Sequence, residues 1–439
     1  MKSESFFTLP RERTGDVSRT LRNLKNATVL GINPPVYDFS WFDLWSKPVG
    51  LLCLLRTLRR EGNDVRLVDC LYEGRTKPLD FGRWKAQRLP VEKPEPYKNI
   101  PRRYYRFGLN GAAFRNRIAS CPRPDAIFVT SAMTYWYEGV FEAVKTAKEV
   151  FPDVPVVLGG AYARLCPQHA LRSGADFIQT EPFLCSAYDA SPALDLYDAP
   201  SYGVLITSRG CPMHCDYCAA YKLWPGFEQR PLQDVFADLA GQMSLPTVTD
   251  MAFYDDALLL NKERHFYPLC RHLRERYPKL RLHTPNGLHV AQLDEECCRT
   301  LFRTGFRTIR LSLEGTDDFI GKASSDKVAA SDYERAVASL LRAGYEPDDI
   351  ETYILVGLPG QDAGSVRASI EAVRGLGARP KLAEFSPIPG TPLFEASLRL
   401  TPRIADEPLL HNNTIYAQYV ARTLTPEELQ GLKDLAKRR

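Results

Sequence analysis

Short apolar runs, each stopped by glycine or proline and followed by a helical stretch, recur through most of this chain. That alternation leaves few folds open. Strands of four to six apolar residues are buried on both faces, the habit of parallel sheets flanked by helices. ATVLGINPP (27–35) is such a run, ending at Asn-Pro-Pro. KPVGLLCLLRTLRREGNDV then takes helical spacing with a stop at Gly62, and VRLVDC (65–70) is the next run. PDAIFVTSAM (124–133), a helix over Tyr137–Val150, PVVLGGAYA (155–163) and ALRSGADFI (170–178) continue the series. The pattern predicts an α/β chain whose first domain, 27–190, is a doubly wound parallel sheet. The polar, Arg-rich residues 1–26 read as an arm. Between 71 and 115 the pattern lapses into a basic, proline-rich stretch (KPLDFGRWKAQRLPVEKPEPYKNIPRRYYRFG), predicted to be a loop insertion.

From Gly203 the alternation restarts. Strands are predicted at 203–208, 250–254, 280–284, 307–313, 350–357 and 382–386, with helices between. Six β/α repeats over 200–395 predict a partial (β/α)6 TIM-type barrel, with its site at the C-terminal strand ends. Residues 396–439 form a short helical tail, in which Thr425, Pro426 and Glu428 make an N-cap, a first-turn proline and a capping box.

A length of 439 residues fits two or three domains, and 57 basic against 53 acidic residues leave a net charge of +4. That is too near balance to argue for nucleic acid on charge alone. No stretch approaches a membrane span: Val49–Leu55 is the best, and Arg56 breaks it. The N-terminus has charges where a secretion signal is apolar, so a cytoplasmic enzyme is expected.

Eleven cysteines in such a chain do not read as a disulfide framework. Cys53, Cys70, Cys270 and Cys298 lie in apolar runs and read as small buried hydrophobes. Cys211, Cys215 and Cys218 stand apart as CxxxCxxC within SRGCPMHCDYCAAY. Two chemistries use such a knot: zinc, with His214 as a fourth ligand, or a [4Fe–4S] cluster with three irons held by thiolates and one left open. Adjacent His214 and Cys215 rarely reach one tetrahedral ion. The knot also follows directly on a barrel strand, where barrel enzymes do chemistry, which favours the cluster.

With these residues on the page, 200–395 resembles the radical S-adenosylmethionine (SAM) superfamily. CPMHCDYC carries an aromatic residue, Tyr217, before the third cysteine; FYDD (253–256) ends the second strand, HTPNGLHV (283–290) the third and LSLEG (311–315) the fourth. ILVGLPGQ (354–361) and FSPIPGTPLF (385–394) follow at the fifth and sixth. The resemblance implies SAM on the open iron, its methionyl ammonium near Tyr254 and Asp255 or Asp256, and Asn286 beside them. It implies Ser312 and Glu314 at the ribose, and Leu355 and Val356 at the adenine. The bland alternatives are a solvated turn for the two aspartates and a Glu314–Arg310 pair. One electron from the cluster cleaves SAM to a 5′-deoxyadenosyl radical, which needs a dry cavity.

A βαβ domain ahead of such a barrel resembles the cobalamin-binding domain of one branch of the superfamily. The matching positions are Asn33 in GINPP, Thr130 and Ser131 in VTSAMT, and Gly159, Gly160 and Ala161 in VLGGAYA. The first histidine of the chain is His169, so the loop 33–47 has none to place beneath cobalt. Either cobalamin is held without a protein ligand or the domain has kept the fold and lost the cofactor. Trp41, Trp45 and Trp136 either cap a corrin face or plug its cavity. The implied activity is cobalamin-dependent methylation of an unactivated carbon in a small molecule, with an electron donor such as flavodoxin or ferredoxin. The alternatives are a rearrangement, a cyclisation or transfer of another SAM fragment with no cobalamin, and, from another class, an RNA-binding or RNA-modifying protein that uses Arg102, Arg103, Tyr104, Tyr105 and Arg106.

Overall fold

The computed structural model describes residues 12–18, 24–182, 191–325 and 328–438. They form two compact units: 1–201 with 238–247 and 406–409, and 202–237 with 248–405 and 410–439. Among the described residues no helix is long and apolar enough to cross a membrane.

The first unit is built on a six-stranded sheet: β1 (Thr14–Gly15), β2 (Thr28–Asn33), β3 (Asp64–Asp69), β4 (Ala126–Val129), β5 (Val156–Leu158) and β6 (Phe177–Gln179). The spatial order is β1-β6-β5-β4-β2-β3, with every pairing parallel. Val29, Ile32, Val68, Ile127, Val156 and Leu158 are fully buried, as strands covered on both faces require. Apart from the short edge strand β1, this is the doubly wound order whose switch point falls between its first and third strands, here β2 and β4.

Two stretches differ from expectation. Within 1–26, which was read as an arm, Thr14–Gly15 is a strand on β6; residues 1–11 and 19–23 lie outside the described residues. The predicted loop insertion 71–115 is folded. Arg75–Pro78 pairs antiparallel with Trp84–Ala86, Val36–Asp38, Tyr104–Phe107 and Arg88–Val91 make a three-stranded sheet, and Gly111–Ala119 is a helix. Two of its Arg-Tyr cluster are spent inside the fold: Arg106 is 5% exposed and pairs with Glu142 at 2.7 Å, and the Tyr104 hydroxyl donates to Glu138 at 2.7 Å, while Arg103 is exposed and Arg102 and Tyr105 are half-buried.

In the second unit six parallel strands pair in chain order: β7 (Tyr202–Leu205), β8 (Asp250–Phe253), β9 (Arg281–His283), β10 (Phe306–Glu314), β11 (Ile350–Val356) and β12 (Arg379–Glu384). That connectivity is the one an incomplete β/α barrel requires. The first strand is shorter than predicted: it ends at Leu205, and Ser208–Gly210 leaves the sheet to pair antiparallel with Phe227–Gln229. The tail helix Pro426–Lys437 has its capping box, with Glu428 N–H donating to Thr425 Oγ1 at 3.1 Å and Thr425 N–H to Glu428 Oε2 at 2.8 Å.

The strand starts are held by a buried network. Asp250 accepts from Arg281 at 2.6 and 2.8 Å and contacts His283 Nε2 at 2.9 Å, while His283 Nδ1 lies 2.6 Å from Thr308. Burial alone raises the Asp250 carboxyl, but the bonds from His283, Arg281 and Thr249 hold it at about 2. A cavity of about 1330 Å³ opens at this same edge, lined by charged residues that include Glu351, Arg379, Lys381 and Lys433. Conservation aside, groups at the strand starts of such a sheet serve stability, and chemistry belongs to the other end.

Candidate functional site

At the C-terminal ends of β7–β11 the chain gathers the residues singled out above. The cysteine loop leaves through the hairpin strand Ser208–Gly210. Gly210 has φ +70°, and a Cβ there would lie 2.1 Å from the Gly226 carbonyl, so only glycine lets the hairpin close before Cys211. Further on, Asp216 N–H donates to Ala323 O at 2.8 Å and Leu393 N–H to Asp216 O at 3.1 Å. Cys218 N–H donates to Cys215 O at 3.0 Å, and Ala220 N–H to Cys218 Sγ at 3.4 Å. None of the three cysteines is in a disulfide. Burial, then Asp256, Cys215 and Cys211, push the Cys218 thiol up to about 11.

The two adjacent aspartates have different surroundings. Asp255 is 3% exposed, and its carboxylate accepts from Thr207 N–H and Oγ–H and from Ser208 N–H and Oγ–H. Asp256 is exposed and, among the described residues, makes no hydrogen bond or ion pair. Desolvation and the neighbouring Asp255 raise its carboxyl to about 6. Asn286 spans β8 and β9, donating to Tyr254 O at 3.0 Å and Asp255 O at 3.4 Å.

Glu314 ends β10 at a register shift and is 7% exposed with φ +69°, a left-handed conformation uncommon for a side chain of that size. Arg310 pairs with Glu351 at 3.0 Å and donates to the Tyr353 hydroxyl at 2.9 Å. The Tyr217 hydroxyl is raised by burial and by the charges of Glu314 and Cys215, and its ring packs into a cluster with Leu355, Leu358, Ile320 and Phe385. Leu355 O and the N–H groups of Gly357 and Leu358 are clipped by Gln361. Ser312 is half-buried two residues before Glu314, and Val356 is buried beside Leu355. Thus Cys218 and Asp256, and Tyr217, Glu314 and Leu355, share one edge.

In the first unit the switch-point edge carries Asn33, bonded to Asp69 at 2.9 Å, and Ser131, whose hydroxyl donates to Gly159 O at 2.6 Å. Gly160 has φ +98°, and a Cβ there would lie 2.1 Å from Ser131 O, so this glycine is needed for loop packing, with Ala161 N–H on Ser131 O at 3.0 Å. Gly159 is open: a Cβ would meet only Gln179, at 3.7 Å. The Thr130 hydroxyl is half-exposed and takes no hydrogen bond among the described residues. Trp41 packs on Trp84 and Phe107, Trp45 is fully buried with its indole donating to Phe81 O at 3.1 Å, and Trp136 donates to Asp38 at 2.7 Å. The large apolar side chains exposed on those two loops are Phe42, Leu44 and Met133, at 71, 42 and 49% exposure.

The family model of the radical SAM superfamily matches residues 205–373. The match takes in Cys211, Cys215, Cys218, Asp256 and Glu314. Over 336 residues the chain is 23% identical to an uncharacterised methyltransferase of Pyrococcus horikoshii, covering 63% of this chain and 70% of that one. Over 438 residues it is 20% identical to the cytidylyl-2-hydroxyethylphosphonate methyltransferase of Streptomyces wedmorensis, covering 80 and 78%. In fold it is similar to the radical SAM methyltransferase TsrM of Kitasatospora setae, solved with cobalamin and a [4Fe–4S] cluster (TM-score 0.61, 16% identity, 87% of this chain and 76% of that). It is also similar to the cobalamin-dependent SAM radical enzyme OxsB, solved with aqua-cobalamin and SAM (TM-score 0.57, 11% identity, 89 and 57%).

The donor set of the radical SAM domain fits a cluster. Burial, and then the neighbouring Asp256, Cys215 and Cys211, raise the Cys218 thiol, and a cationic iron–sulfur group would favour its thiolate instead. Among the described residues no three of His, Cys, Asp and Glu converge on a single ion, and His214 is exposed against the Tyr221 ring, 4.9 Å between centroids. A cluster, which takes one thiolate per iron, needs no such convergence. Sequence reasoning missed Thr207 and Ser208, which pass as ordinary strand residues, and Phe42, Leu44 and Met133. Along 41–45 every second residue is buried, but Trp41, Phe42, Leu44 and Trp45 are all large and apolar, so hydrophobicity alone does not tell which face turns outward.

Proposed function

We propose that this protein is a cobalamin-dependent radical SAM methyltransferase acting on a small molecule. The observation that carries the reading is the shared edge: three cysteines, an unpaired carboxylate at Asp256, and Glu314 beside Tyr217, all supplied by consecutive strand ends. Cys211, Cys215 and Cys218 would hold the [4Fe–4S] cluster, which supplies one electron to the sulfonium of SAM. Asp256 suits the methionyl ammonium, being accessible, negatively charged once ionised and committed to nothing else. Glu314 offers its carboxylate to ribose hydroxyls, with Ser312 nearby, and Leu355, Val356 and Tyr217 give an apolar wall for the adenine. Tyr254 and Asn286 complete the site. A partial barrel closing over these loops would keep water from the reacting carbon.

Cobalamin, when bound, supplies a methyl carrier. Asn33, Thr130, Ser131 and Gly159–Ala161 line the switch-point edge where α/β sheets take ligands. Phe42, Leu44 and Met133 offer it uncovered apolar surface, while Trp41, Trp45 and Trp136 brace the loops from beneath. The cytoplasm is a compartment in which the thiols of such a cluster site stay reduced.

The electron enters from outside. On the ribbon 75–88, Arg75, Lys77, Arg83, Lys85 and Arg88 face a single acid, Asp80, and form no ion pair among the described residues. That surface suits a small acidic carrier such as flavodoxin or ferredoxin.

The test is anaerobic reconstitution with iron, sulfide and hydroxocobalamin, followed by absorbance, metal analysis and SAM turnover. A brown cluster, a corrinoid band and release of S-adenosylhomocysteine and 5′-deoxyadenosine are expected. The Cys211→Ala/Cys215→Ala/Cys218→Ala variant should lose the cluster and both products. Four irons per chain in that variant would sink the assignment, and a cluster without corrinoid uptake would leave a radical SAM enzyme of another reaction type.

A further inference from the structure

We infer that Asp255 is a positioning residue for the cysteine loop and not a ligand of the SAM ammonium, a role that falls to Asp256 alone. The inference rests on the radical SAM reading and assigns separate tasks to two adjacent carboxylates.

A carboxylate oxygen has room for about two strong hydrogen bonds. Asp255 Oδ1 has four donors within reach: Thr207 N–H at 3.1 Å, Thr207 Oγ–H at 2.7 Å, Ser208 N–H at 2.6 Å and Ser208 Oγ–H at 2.7 Å. Oδ2 takes a longer share of Thr207 N–H, at 3.2 Å. Burial raises this carboxyl, and the bonds from Ser208 and Thr207 oppose that rise. Oδ1 is therefore saturated, and in a residue only 3% exposed Oδ2 offers an incoming ammonium almost no accessible surface.

The carbonyl side of the same turn is held by a second buried charge. Arg230 is 5% exposed; its guanidinium donates to Ile206 O at 2.7 Å and its N–H to Thr207 O at 2.9 Å. Between them Asp255 and Arg230, the latter through its guanidinium and its backbone N–H, account for the hydroxyls and N–H groups of Thr207 and Ser208 and the carbonyls of Ile206 and Thr207. Three residues beyond Ser208 stands Cys211. With so short a lever, an error in the turn passes to the first thiolate nearly undiminished, and a cluster needs its ligands placed to a few tenths of an ångström. The clamp fixes where the chain starts toward the irons.

The experiment compares Asp255→Asn with Asp256→Asn after anaerobic reconstitution, reading iron per chain, the electron paramagnetic resonance of the reduced cluster without SAM, and SAM affinity. Asp255→Asn is expected to lose at least half its iron or to shift the SAM-free resonance. Asp256→Asn should keep wild-type iron and resonance and bind SAM at least tenfold more weakly. Ser208→Ala and Thr207→Val each remove one donor without touching the charge. They should move iron content or resonance in the same direction by less, and they decide the matter if Asp255→Asn melts early as apoprotein. Wild-type iron and an unshifted resonance in Asp255→Asn and both hydroxyl variants would overturn the inference, as would iron loss in Asp256→Asn. Absence of a cluster from the reconstituted wild-type protein would instead count against the function proposed above.

Discussion

Asp250 and Asp256 stand six residues apart, on one strand and its following turn, yet their carboxyls are driven in opposite directions. Asp250, beneath the strand starts, is held at about 2 by His283 and Arg281 against its burial, while desolvation lifts Asp256 to about 6. For Asp250 the folded value lies below the unfolded one, so its contribution is complete above pH 4 and is lost as pH falls toward 2. Asp250→Asn is therefore expected to cost about 2 kcal/mol at pH 7, the equivalent of its shift, with the gap from wild type closing below pH 4 in denaturant titrations. For Asp256 the sign reverses: its ionisation opposes folding as pH climbs from about 4 to 6, so Asp256→Asn is expected to hold or raise the melting temperature at neutral pH. Glu314 stores a different cost, its left-handed backbone. Glu314→Gly removes about 1 kcal/mol of that strain, so the melting temperature should not fall although SAM affinity drops tenfold or more in equilibrium binding. The CxxxCxxC spacing of Cys211, Cys215 and Cys218 was legible in the sequence. The different surroundings of Asp255 and Asp256 were not, because sequence shows two neighbouring carboxylates and only packing shows that one is bonded to two hydroxyls.

At the scale of elements, the buried parallel strands were legible and the ribbons were not. β2, β4 and β5 announce themselves as apolar runs because both faces are covered. In Arg75–Pro78 all four residues are exposed, so its pairing with Trp84–Ala86 leaves no hydrophobic period to read. That ribbon sets Lys77 directly opposite Lys85, and like charges across a strand pair are destabilising. Lys77→Glu should stabilise the ribbon by a few tenths of a kcal/mol. The same change, and more so Lys77→Glu/Lys85→Glu, should slow reduction of the cluster by flavodoxin severalfold at low salt and leave reduction by dithionite unchanged. Stopped-flow absorbance at two ionic strengths measures both, and equal rates with flavodoxin for all variants would remove the ribbon from electron delivery.

For the whole molecule, the alternation of short strands and helices was enough to place two α/β units, since nothing else buries so many brief apolar runs. What it did not show is that the first unit draws on distant sequence. Residues 406–409 belong to it: the fully buried Tyr97 donates its hydroxyl to Leu409 O at 2.6 Å, and Tyr137 donates to Glu407 at 3.1 Å. A chain ending at residue 400 is thus expected to leave the Tyr97 hydroxyl unsatisfied and to lower the melting temperature of the N-terminal unit by several degrees, an effect that Tyr97→Phe should partly relieve. The same feature sets a schedule on the ribosome. The six-stranded sheet leaves the exit tunnel before the second unit, but the last pieces of its own unit are some 200 residues behind it, on the order of 10–40 s later at ordinary rates of synthesis. The unit is completed only when residue 409 has been made, and any cofactor that needs its finished form must wait until then.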